Sequence, residues 1–159
     1  MNLFKGFYFL IKFFFKQKNT NVIFFSENKS SWQHFKGIIF ELDKRSINYS
    51  YIFLDKHDPA KLEIAKEKQF YLNNNYFVII FFTFVRAKLI FMTTPDLNEF
   101  HIKKNNISKY IYIHHSICST HMIYREKAFD SFDIICSVGS FQNKEVRCAE
   151  SLRKLKKKI

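Results

Sequence analysis

Asn21-Val-Ile-Phe-Phe25 is a short, nearly continuous apolar run, and it opens the pattern that decides the fold. An apolar run without polar alternation is typical of a parallel strand that is buried on both faces. After it, apolar residues recur at helical spacing from Trp32 to about Arg45, and residues 48–54 form a second apolar strand. Strand, helix and strand in this order predict an α/β fold with a doubly wound, parallel, Rossmann-like sheet.

Two boundary signals refine this prediction. Ser30 with Gln33 forms a possible capping box at the start of the first crossover helix. Asp58 followed by Pro59 is typical of a helix start, and the charged segment after it predicts a helix that runs to about Gln69. The first strand–helix turn has no GxGxxG fingerprint, so we predict no dinucleotide and no other cofactor.

The segment 76–92 is strongly apolar but contains Arg86 and Lys88. It is too short and too charged for a transmembrane span, because a span needs roughly 20 mostly apolar residues. We interpret it as a buried helix over about 76–86 and a strand over about 88–93. The remaining predicted elements are strands at 109–114 and 133–138 and a helix from 141 to about 157.

The net charge of +12 is concentrated at the two ends of the chain. Residues 1–18 hold four lysines and no acidic residue, and residues 147–159 hold six basic residues and one glutamate. Residues 19–146 therefore carry only +3, whereas a nucleic-acid interface needs basic residues across the folded body. We expect no nucleic-acid partner. Two basic ends fit an anionic membrane surface, or they are solvated tails.

The N-terminal segment 1–18 has the pattern of an amphipathic helix. Lys5, Lys12 and Lys16 fall within about 40° of one another on a helix, and most of the remaining surface is Phe, Leu and Ile. Its longest apolar run between lysines has six residues, which is too short to span a bilayer. We interpret it as an interfacial helix whose lysines bind the membrane, or as an arm that packs on a protein partner.

The length of 159 residues fits one domain with a sizeable core, so we divide the chain into the helix at 1–18 and a Rossmann-like domain at 19–159. The three cysteines are odd in number and have no CxxC spacing, which indicates a reducing cytosol. No cleavage pattern of a signal peptide follows the first apolar run. We expect a cytoplasmic protein, peripheral on the inner face of the cell membrane.

Histidines at the end of the strand predicted at 109–114 are the first candidates for chemistry. His114, His115 and His121 lie within eight residues, and open α/β sheets bind ligands beyond the carboxyl ends of their strands. A neutral imidazole there can accept a proton from an attacking hydroxyl near pH 7, and Arg125 nearby can hold phosphate. The alternative, a purely structural histidine, stays open for both His114 and His115.

Other chemistries have weaker support. Neighbouring residues on a strand point to opposite faces, so His114 and His115 cannot easily share a zinc ion, and we predict no metal. No GxSxG motif is present, and nothing around Cys118 supports a thiol nucleophile. The turn at 93–98 follows a predicted strand, so we expect it to line the same cleft, unless it is a simple Pro-Asp turn.

Several short stretches follow one another in a characteristic order from about residue 21 to the end of the chain. They are Phe25-Ser-Glu27 with Trp32 and Phe35, then Met92-Thr-Thr-Pro-Asp-Leu-Asn98, Phe100-His-Ile-Lys-Lys104, Tyr112-Ile-His-His-Ser116, Ser119-Thr-His-Met-Ile-Tyr-Arg125, Ala128-Phe-Asp130, Phe132-Asp-Ile-Ile-Cys136 and Val138-Gly139. In these stretches and their order the chain resembles the CDP-glycerol glycerophosphotransferase family. The ordered series is more specific than any one of its motifs.

The resemblance implies the N-terminal, acceptor-side half of a glycosyltransferase-B fold. Members of this family transfer a polyol phosphate from a CDP-activated donor to a hydroxyl acceptor and release CMP, usually in making teichoic acid or a related surface polymer. The chain reaches only to about the point where the first domain would end. We therefore expect the donor-binding C-terminal domain to be absent and the chain to be incomplete or inactive alone.

The resemblance also implies roles for individual residues. His115 matches the family's proposed general base, which lies in a Trp-His-Gly-Thr-Pro-like motif, with Ser116 in place of the glycine and no Thr-Pro after it. His121 is its rival for that role. The predicted substrate-binding residues are Ser116, Ser119, Thr120, Arg125, Asp96 and Asn98.

Three partners follow from the same resemblance and from the charge distribution. They are CDP-glycerol or a similar CDP-polyol held by the missing domain, a polyol or glycan acceptor, and an anionic membrane surface. A non-catalytic membrane-surface or interaction module remains the alternative function.

Overall fold

Six parallel strands form a single sheet, and the predicted fold class is confirmed. The structure, a computed structural model, describes residues 3–16 and 20–155. The strand order is β3-β2-β1-β4-β5-β6, and all neighbours are parallel. This is a Rossmann-like, doubly wound order, in which the direction of winding reverses between β1 and β4. The strands are β1 (Val22–Ser26), β2 (Tyr49–Phe53), β3 (Gln69–Tyr71), β4 (Leu89–Met92), β5 (Lys109–Ile113) and β6 (Ile134–Cys136).

Helices cover the two faces of the sheet and divide the core into two clusters. Phe25 of β1 belongs to a cluster with Phe13 and Phe81 on one face, and its neighbour Phe24 belongs to a cluster with Phe35 on the other. This division follows from the alternation of side chains along a strand. The helices are α1 (Leu3–Lys16), α2 (Ser31–Lys44), α3 (Ala60–Glu63), α4 (Asn75–Phe84), α5 (Thr120–Ile123) and α6 (Ser140–Leu152).

The segment after Asp58 differs from the long helix that the sequence predicts. Asp58 does cap a helix, because its Oδ1 accepts a hydrogen bond from the backbone N–H of Ala60 at 2.9 Å. That helix, α3, is a single turn, and a 3-10 turn at Lys66–Lys68 and the short strand β3 follow it. The prediction of a helix to Gln69 is therefore wrong. Ile64 is extended and buried, and burying it and Phe70 in the core takes the chain out of the helix.

The predicted capping box at the start of α2 is also wrong. Ser30 has helical backbone angles and makes no side-chain cap. Its hydroxyl donates to the side-chain oxygen of Asn28, and the Gln33 amide lies 3.0 Å from Nε2 of His34. The local Asn28 turn thus takes the hydroxyl that a capping box would use.

The helix predicted over 76–86 is α4, but it is buried on one side only. Its inner side faces the sheet through Val78, Phe81 and Phe82. Its outer side exposes four large apolar residues, which are Tyr76, Ile79, Ile80 and Phe84. The prediction of a buried helix therefore holds for the inner side alone, because the sheet covers only one stripe of a helix. The last helix, α6, ends at Leu152, earlier than predicted.

The N-terminal helix α1 packs on the body of the domain. Leu10 and Phe13 are buried, and the Phe13 ring lies 5.2 Å from that of Phe70 in β3 and 5.0 Å from that of Phe81 in α4. The opposite side of α1 stays exposed, and 85% of Phe15 is accessible. The helix thus packs on its own domain with one side and leaves an apolar side open, while binding to a membrane or to a separate protein stays a prediction.

Of the three lysines predicted to bind a membrane, Lys12 lies with its Nζ 6.0 Å from the centroid of the Phe70 ring. The side chains of Lys5 and Lys16 lie outside the described part of the structure. Within residues 3–16 and 20–155, no helix has both the length and the apolar content that crossing a bilayer requires.

Replacing Gly6 with alanine is expected to destabilise the fold by about 1–3 kcal/mol. A Cβ on Gly6 would collide with the Asn73 side chain and the Phe77 ring, so α1 would have to move away from α4. Urea unfolding monitored by circular dichroism measures this cost. Gly37 in α2 is the matched control, because a Cβ there meets nothing within 4 Å. Gly37→Ala should stabilise by about 0.5–1 kcal/mol, and equal losses in both variants would contradict the packing of α1.

Candidate functional site

His115 lies at the carboxyl edge of the sheet, two residues after β5 ends. Its ring centroid is 5.6 Å from that of His34, which lies in the first turn of α2. Its Nδ1 is 3.5 Å from the hydroxyl of Tyr112, at the outer limit of a hydrogen bond. His115 is half-buried. The sequence could not reveal His34 as its neighbour, because only the fold brings 34 and 115 together.

His114 points to the opposite side and has a structural environment. Only 2% of it is exposed, and its ring lies 5.6 Å from that of Tyr124 and 5.2 Å from that of Phe129. Burial, together with the nearby His115, lowers the pKa of His114 to about 4. This ring is therefore neutral at pH 7. The alternative of a structural histidine fits His114, while His115 has the accessible position.

The two side chains nearest to His115, His34 and Tyr112, favour their neutral forms. Burial lowers the pKa of His34 below its ordinary value, and the charge of a protonated His115 would lower it further. Burial raises the pKa of the Tyr112 phenol, so Tyr112 keeps its proton at pH 7. A neutral phenol oxygen can accept from Nδ1–H of His115, which leaves the Nε2 lone pair free. A free lone pair on a neutral imidazole is what a general base requires.

At the reversal point between β1 and β4, polar side chains of the two loops are hydrogen-bonded to each other. The hydroxyl of Thr94 donates to Oε2 of Glu27 at 2.8 Å, and the hydroxyls of Ser31 and Thr93 are hydrogen-bonded at 2.8 Å. Ligands of doubly wound sheets bind in the crevice at this point. His34 follows Ser31 by one turn of α2, so this network fixes the helix end that carries it.

Beneath this edge, Asp58 joins three elements. Its Oδ2 accepts hydrogen bonds from the hydroxyls of Ser26 at 2.6 Å and Tyr51 at 3.1 Å, and its Oδ1 accepts one from the N–H of Ala60. Only 2% of Asp58 is exposed, and burial raises the pKa of its carboxyl. The end of β1, the middle of β2 and the start of α3 are therefore held together from inside.

Gln142 of α6 holds the loop that follows His115. It is completely buried, and its Nε2 donates to the carbonyl oxygens of Ser116 at 2.9 Å and Cys118 at 3.3 Å. Its Oε1 accepts from the N–H of Val138 at 3.1 Å. One amide thus fixes the loops after β5 and β6 together. Sequence analysis missed this residue, because a single glutamine inside a helix carries no motif.

Ser119, Thr120 and His121 belong to a second cluster, organised by Glu145 of α6. The Glu145 carboxylate accepts from the Ser119 hydroxyl at 2.5 Å and from both the N–H and the hydroxyl of Thr120 at 2.7 Å. Nδ1 of His121 lies 2.8 Å from the Ser119 oxygen, and 74% of the His121 side chain is exposed. The predicted site residues therefore divide into two groups, and His121 is not placed beside His115.

The Glu145 cluster is expected to loosen in acid. Its hydrogen bonds lower the pKa of Glu145 from 4.5 to about 2. Because the pKa of Glu145 is lower in the folded state, the stabilisation by its carboxylate is complete above the ordinary pKa of a glutamate. This stabilisation is lost as the pH falls toward the pKa of the folded state. The difference in unfolding free energy between wild type and Glu145→Gln should shrink below about pH 4.5. Urea titrations over a pH series measure it, and a constant difference would contradict this assignment.

Asp96, Asn98 and Arg125 lie in the loops beside this cluster. Nε of Arg125 is 3.9 Å from Oδ2 of Asp96, and its guanidinium lies 4.6 Å from the centroid of the Phe100 ring. Asn98 Nδ2 donates to the Ser131 hydroxyl at 3.1 Å. Asp96 and Asn98 have φ of 61° and 77°, values that these residue types adopt more readily than others. The positions of Asp96 and Asn98 also fit a simple Pro-Asp turn. Substrate binding by Asp96, Asn98 and Arg125 stays a prediction.

A groove of about 490 Å³ runs between α5, α6 and the loop at 124–129. It brings together the rival base His121 and the phosphate candidate Arg125, whereas His115 does not line it. Other lining side chains are Tyr124, Lys127, Phe129, Cys148, Leu152 and Arg153. Thr120 and Glu145 also line the groove, so it belongs to the Glu145 cluster.

Nowhere in 3–16 and 20–155 do three or more His, Cys, Asp or Glu side chains come together in a group that could hold an ion.

Comparison of the chain with known protein families, with curated proteins and with solved structures gave no match. The assignment of function therefore depends on the geometry of the site and on the residues that carry the resemblance.

Proposed function

We propose that this chain is the acceptor-side half of a polyol-phosphate transferase similar to the CDP-glycerol glycerophosphotransferases. The observation that carries the proposal is the position of His115. It lies at the carboxyl edge of a Rossmann-like sheet, half-buried, beside His34 and within 3.5 Å of a phenol oxygen that can fix its tautomer. Ser116 follows it in the loop that Gln142 holds in place.

In this reaction His115 acts as the general base. The proton of the acceptor hydroxyl moves to Nε2 of His115, and the acceptor oxygen forms a bond to the β-phosphorus of the donor. The bond from that phosphorus to the bridging oxygen breaks, and CMP leaves with the oxygen and its electron pair. The proton on His115 then passes to solvent. Nothing is oxidised or reduced, and most of the rate comes from positioning and charge stabilisation.

In the family that the chain resembles, a second domain holds the donor, so we propose that a second domain or protein holds it here. The acceptor is a polyol or glycan with a free hydroxyl. We propose that the protein works in the cytoplasm at the inner face of the cell membrane, where such acceptors are assembled. The excess of basic residues at 1–18 supports this location through attraction to anionic lipids.

A transfer assay tests the proposal. The tagged full chain is isolated from its own cells together with the proteins and membranes that accompany it, and CDP-glycerol labelled in the glycerol is added. We expect CMP release and incorporation of label in equal amounts. The purified chain alone should release no CMP. Lipid binding without any CMP release in the complete preparation would favour the alternative, a non-catalytic membrane-surface module, for which the exposed apolar side of α1 is the specific observation.

A further inference from the structure

Tyr112 and Tyr124 form a pair of phenols next to His115. Their hydroxyls are hydrogen-bonded to each other, and the Tyr112 oxygen also lies 3.5 Å from Nδ1 of His115. Two further rings pack on this pair. The centroid of Phe129 lies 4.8 Å from that of Tyr112 and 4.9 Å from that of Tyr124, and the centroid of His114 lies 5.1 Å and 5.6 Å from them. Three polar groups are thus held in a chain, in the order His115, Tyr112 and Tyr124.

Tyr112 is completely buried, so its single hydroxyl hydrogen has to be donated to a protein atom. Within the part of the chain that the structure describes, this hydroxyl has two polar partners, Nδ1 of His115 and the hydroxyl of Tyr124. Leaving a buried donor without an acceptor is costly. The hydrogen of Tyr112 therefore goes to one of these two partners.

The two choices have opposite consequences for His115. If Tyr112 donates to Nδ1, the proton of the neutral ring lies on Nε2, and Nε2 cannot take a proton from an acceptor hydroxyl. If Tyr112 donates to Tyr124, its oxygen is free to accept from Nδ1–H, and Nε2 keeps its lone pair. The direction of the Tyr112 hydroxyl thus decides whether His115 can act as a base through Nε2.

Two observations favour donation to Tyr124. Burial raises the pKa of the Tyr112 phenol, and the hydrogen bond to Tyr124 raises this pKa further, as expected when Tyr112 is the donor in that bond. Tyr124 is only partly buried and lines the open groove, so its own hydrogen can be donated to water while its oxygen accepts from Tyr112.

We infer that Tyr124 is a positioning residue for His115 and acts through Tyr112. By accepting the hydroxyl hydrogen of Tyr112, it keeps the Tyr112 oxygen available to Nδ1–H and so holds His115 in the tautomer that has a free Nε2. This inference rests on the proposed function, in which His115 is the general base. Both phenols act through the imidazole, as the buried carboxylate does for the histidine of a serine protease.

NMR of the full chain labelled with ¹⁵N histidine measures the tautomer directly. At about pH 8 an ordinary imidazole is neutral, and two-bond couplings distinguish Nδ1–H from Nε2–H. The spectrum of His115→Gln identifies the signals of His115. We expect Nδ1–H in the wild type. Tyr124→Phe should convert His115 to Nε2–H, because the hydrogen of Tyr112 can then go only to Nδ1. Tyr112→Phe should leave a mixture of both tautomers, so the more distant phenol has the larger effect.

Tyr110→Phe is the matched control for a general loss of packing. Tyr110 lies in the same strand as Tyr112 and is equally buried, but its hydroxyl accepts hydrogen bonds from Asn105. This variant should leave His115 in the Nδ1–H form. Nε2–H in the wild type, or an unchanged tautomer in Tyr124→Phe, would overturn the inference.

Turnover provides a second, independent measurement. In the complete preparation, Tyr124→Phe should lower the rate of CMP release by about tenfold or more with little change in the KM for the acceptor, because only His115 in the Nδ1–H form is active. CMP release by the wild type with an unchanged tautomer in Tyr124→Phe would contradict this inference alone. The expected tautomers without any CMP release would contradict the transferase proposal alone.

Discussion

Replacing His115 with alanine is expected to lower the turnover of CDP-glycerol by a factor of about 10²–10⁴, the usual contribution of a positioned general base. The acceptor hydroxyl would keep its proton until late in the reaction, because His34 lies on a different element and its lowered pKa makes it a weaker base. The measurement is CMP release by the complete preparation at saturating donor. Acceptor binding should change far less than turnover, since the lost interaction forms mainly in the transition state.

His121→Ala is the control for this prediction, because His121 is exposed and tied to Ser119 and Glu145 rather than to His115. It should leave turnover close to wild type. If His121→Ala loses most of its turnover while His115→Ala stays near normal, His121 and not His115 is the general base. The groove that His121 shares with Arg125 would then be the acceptor site.

Phe13→Ala is expected to destabilise the fold by about 3–5 kcal/mol. Phe13 is only 1% exposed, and its ring contacts those of Phe70 and Phe81 edge to face, so its removal leaves a cavity between α1, β3 and α4. Domains are typically stable by only about 5–15 kcal/mol, so the loss is a large share of the total. Urea unfolding gives the free energy, and limited proteolysis shows whether α1 detaches first.

Phe15, two residues further along α1, provides the matched control. It is the same residue type but is 85% exposed, so Phe15→Ala should cost less than about 0.5 kcal/mol. The same variant should weaken binding to anionic vesicles, which Phe13→Ala would affect only through unfolding. Equal costs for the two variants would contradict the docking of α1 on the sheet.

The sequence predicts the sheet well because its strands have a strong, unambiguous signal. β1, β2, β4, β5 and β6 are apolar runs of strand length, and each was predicted within a few residues of its observed bounds. β3 was missed because Gln69–Tyr71 has one buried residue in three and follows a charged stretch that resembles the end of a helix. Residues 69–71 form a strand because they pair with β2, and the local sequence pattern does not reveal this pairing.

The candidate site was predictable only in part. The place after a strand indicates His114 and His115 together, strand alternation predicts their opposite orientations, and only the resemblance selects His115 as the candidate base. His34, Gln142 and Glu145 could not, because their roles depend on contacts between elements far apart in the chain. The sequence indicates Ser119 and Thr120 as candidates for substrate binding. In the folded protein, however, their hydroxyls donate hydrogen bonds to Glu145.

The central position of β1 has a consequence for synthesis of the chain. Val22 pairs with Tyr49 on one side, 27 residues later, but with Leu89 on the other, 67 residues later. While the ribosome makes the residues between β2 and β4, the edge of β1 that later pairs with β4 has unpaired N–H and C=O groups beside Phe24 and Phe25. Unpaired strand edges of this kind promote aggregation. Because α4 also provides the docking site of α1, the N-terminal third of this protein cannot finish folding before β4 emerges.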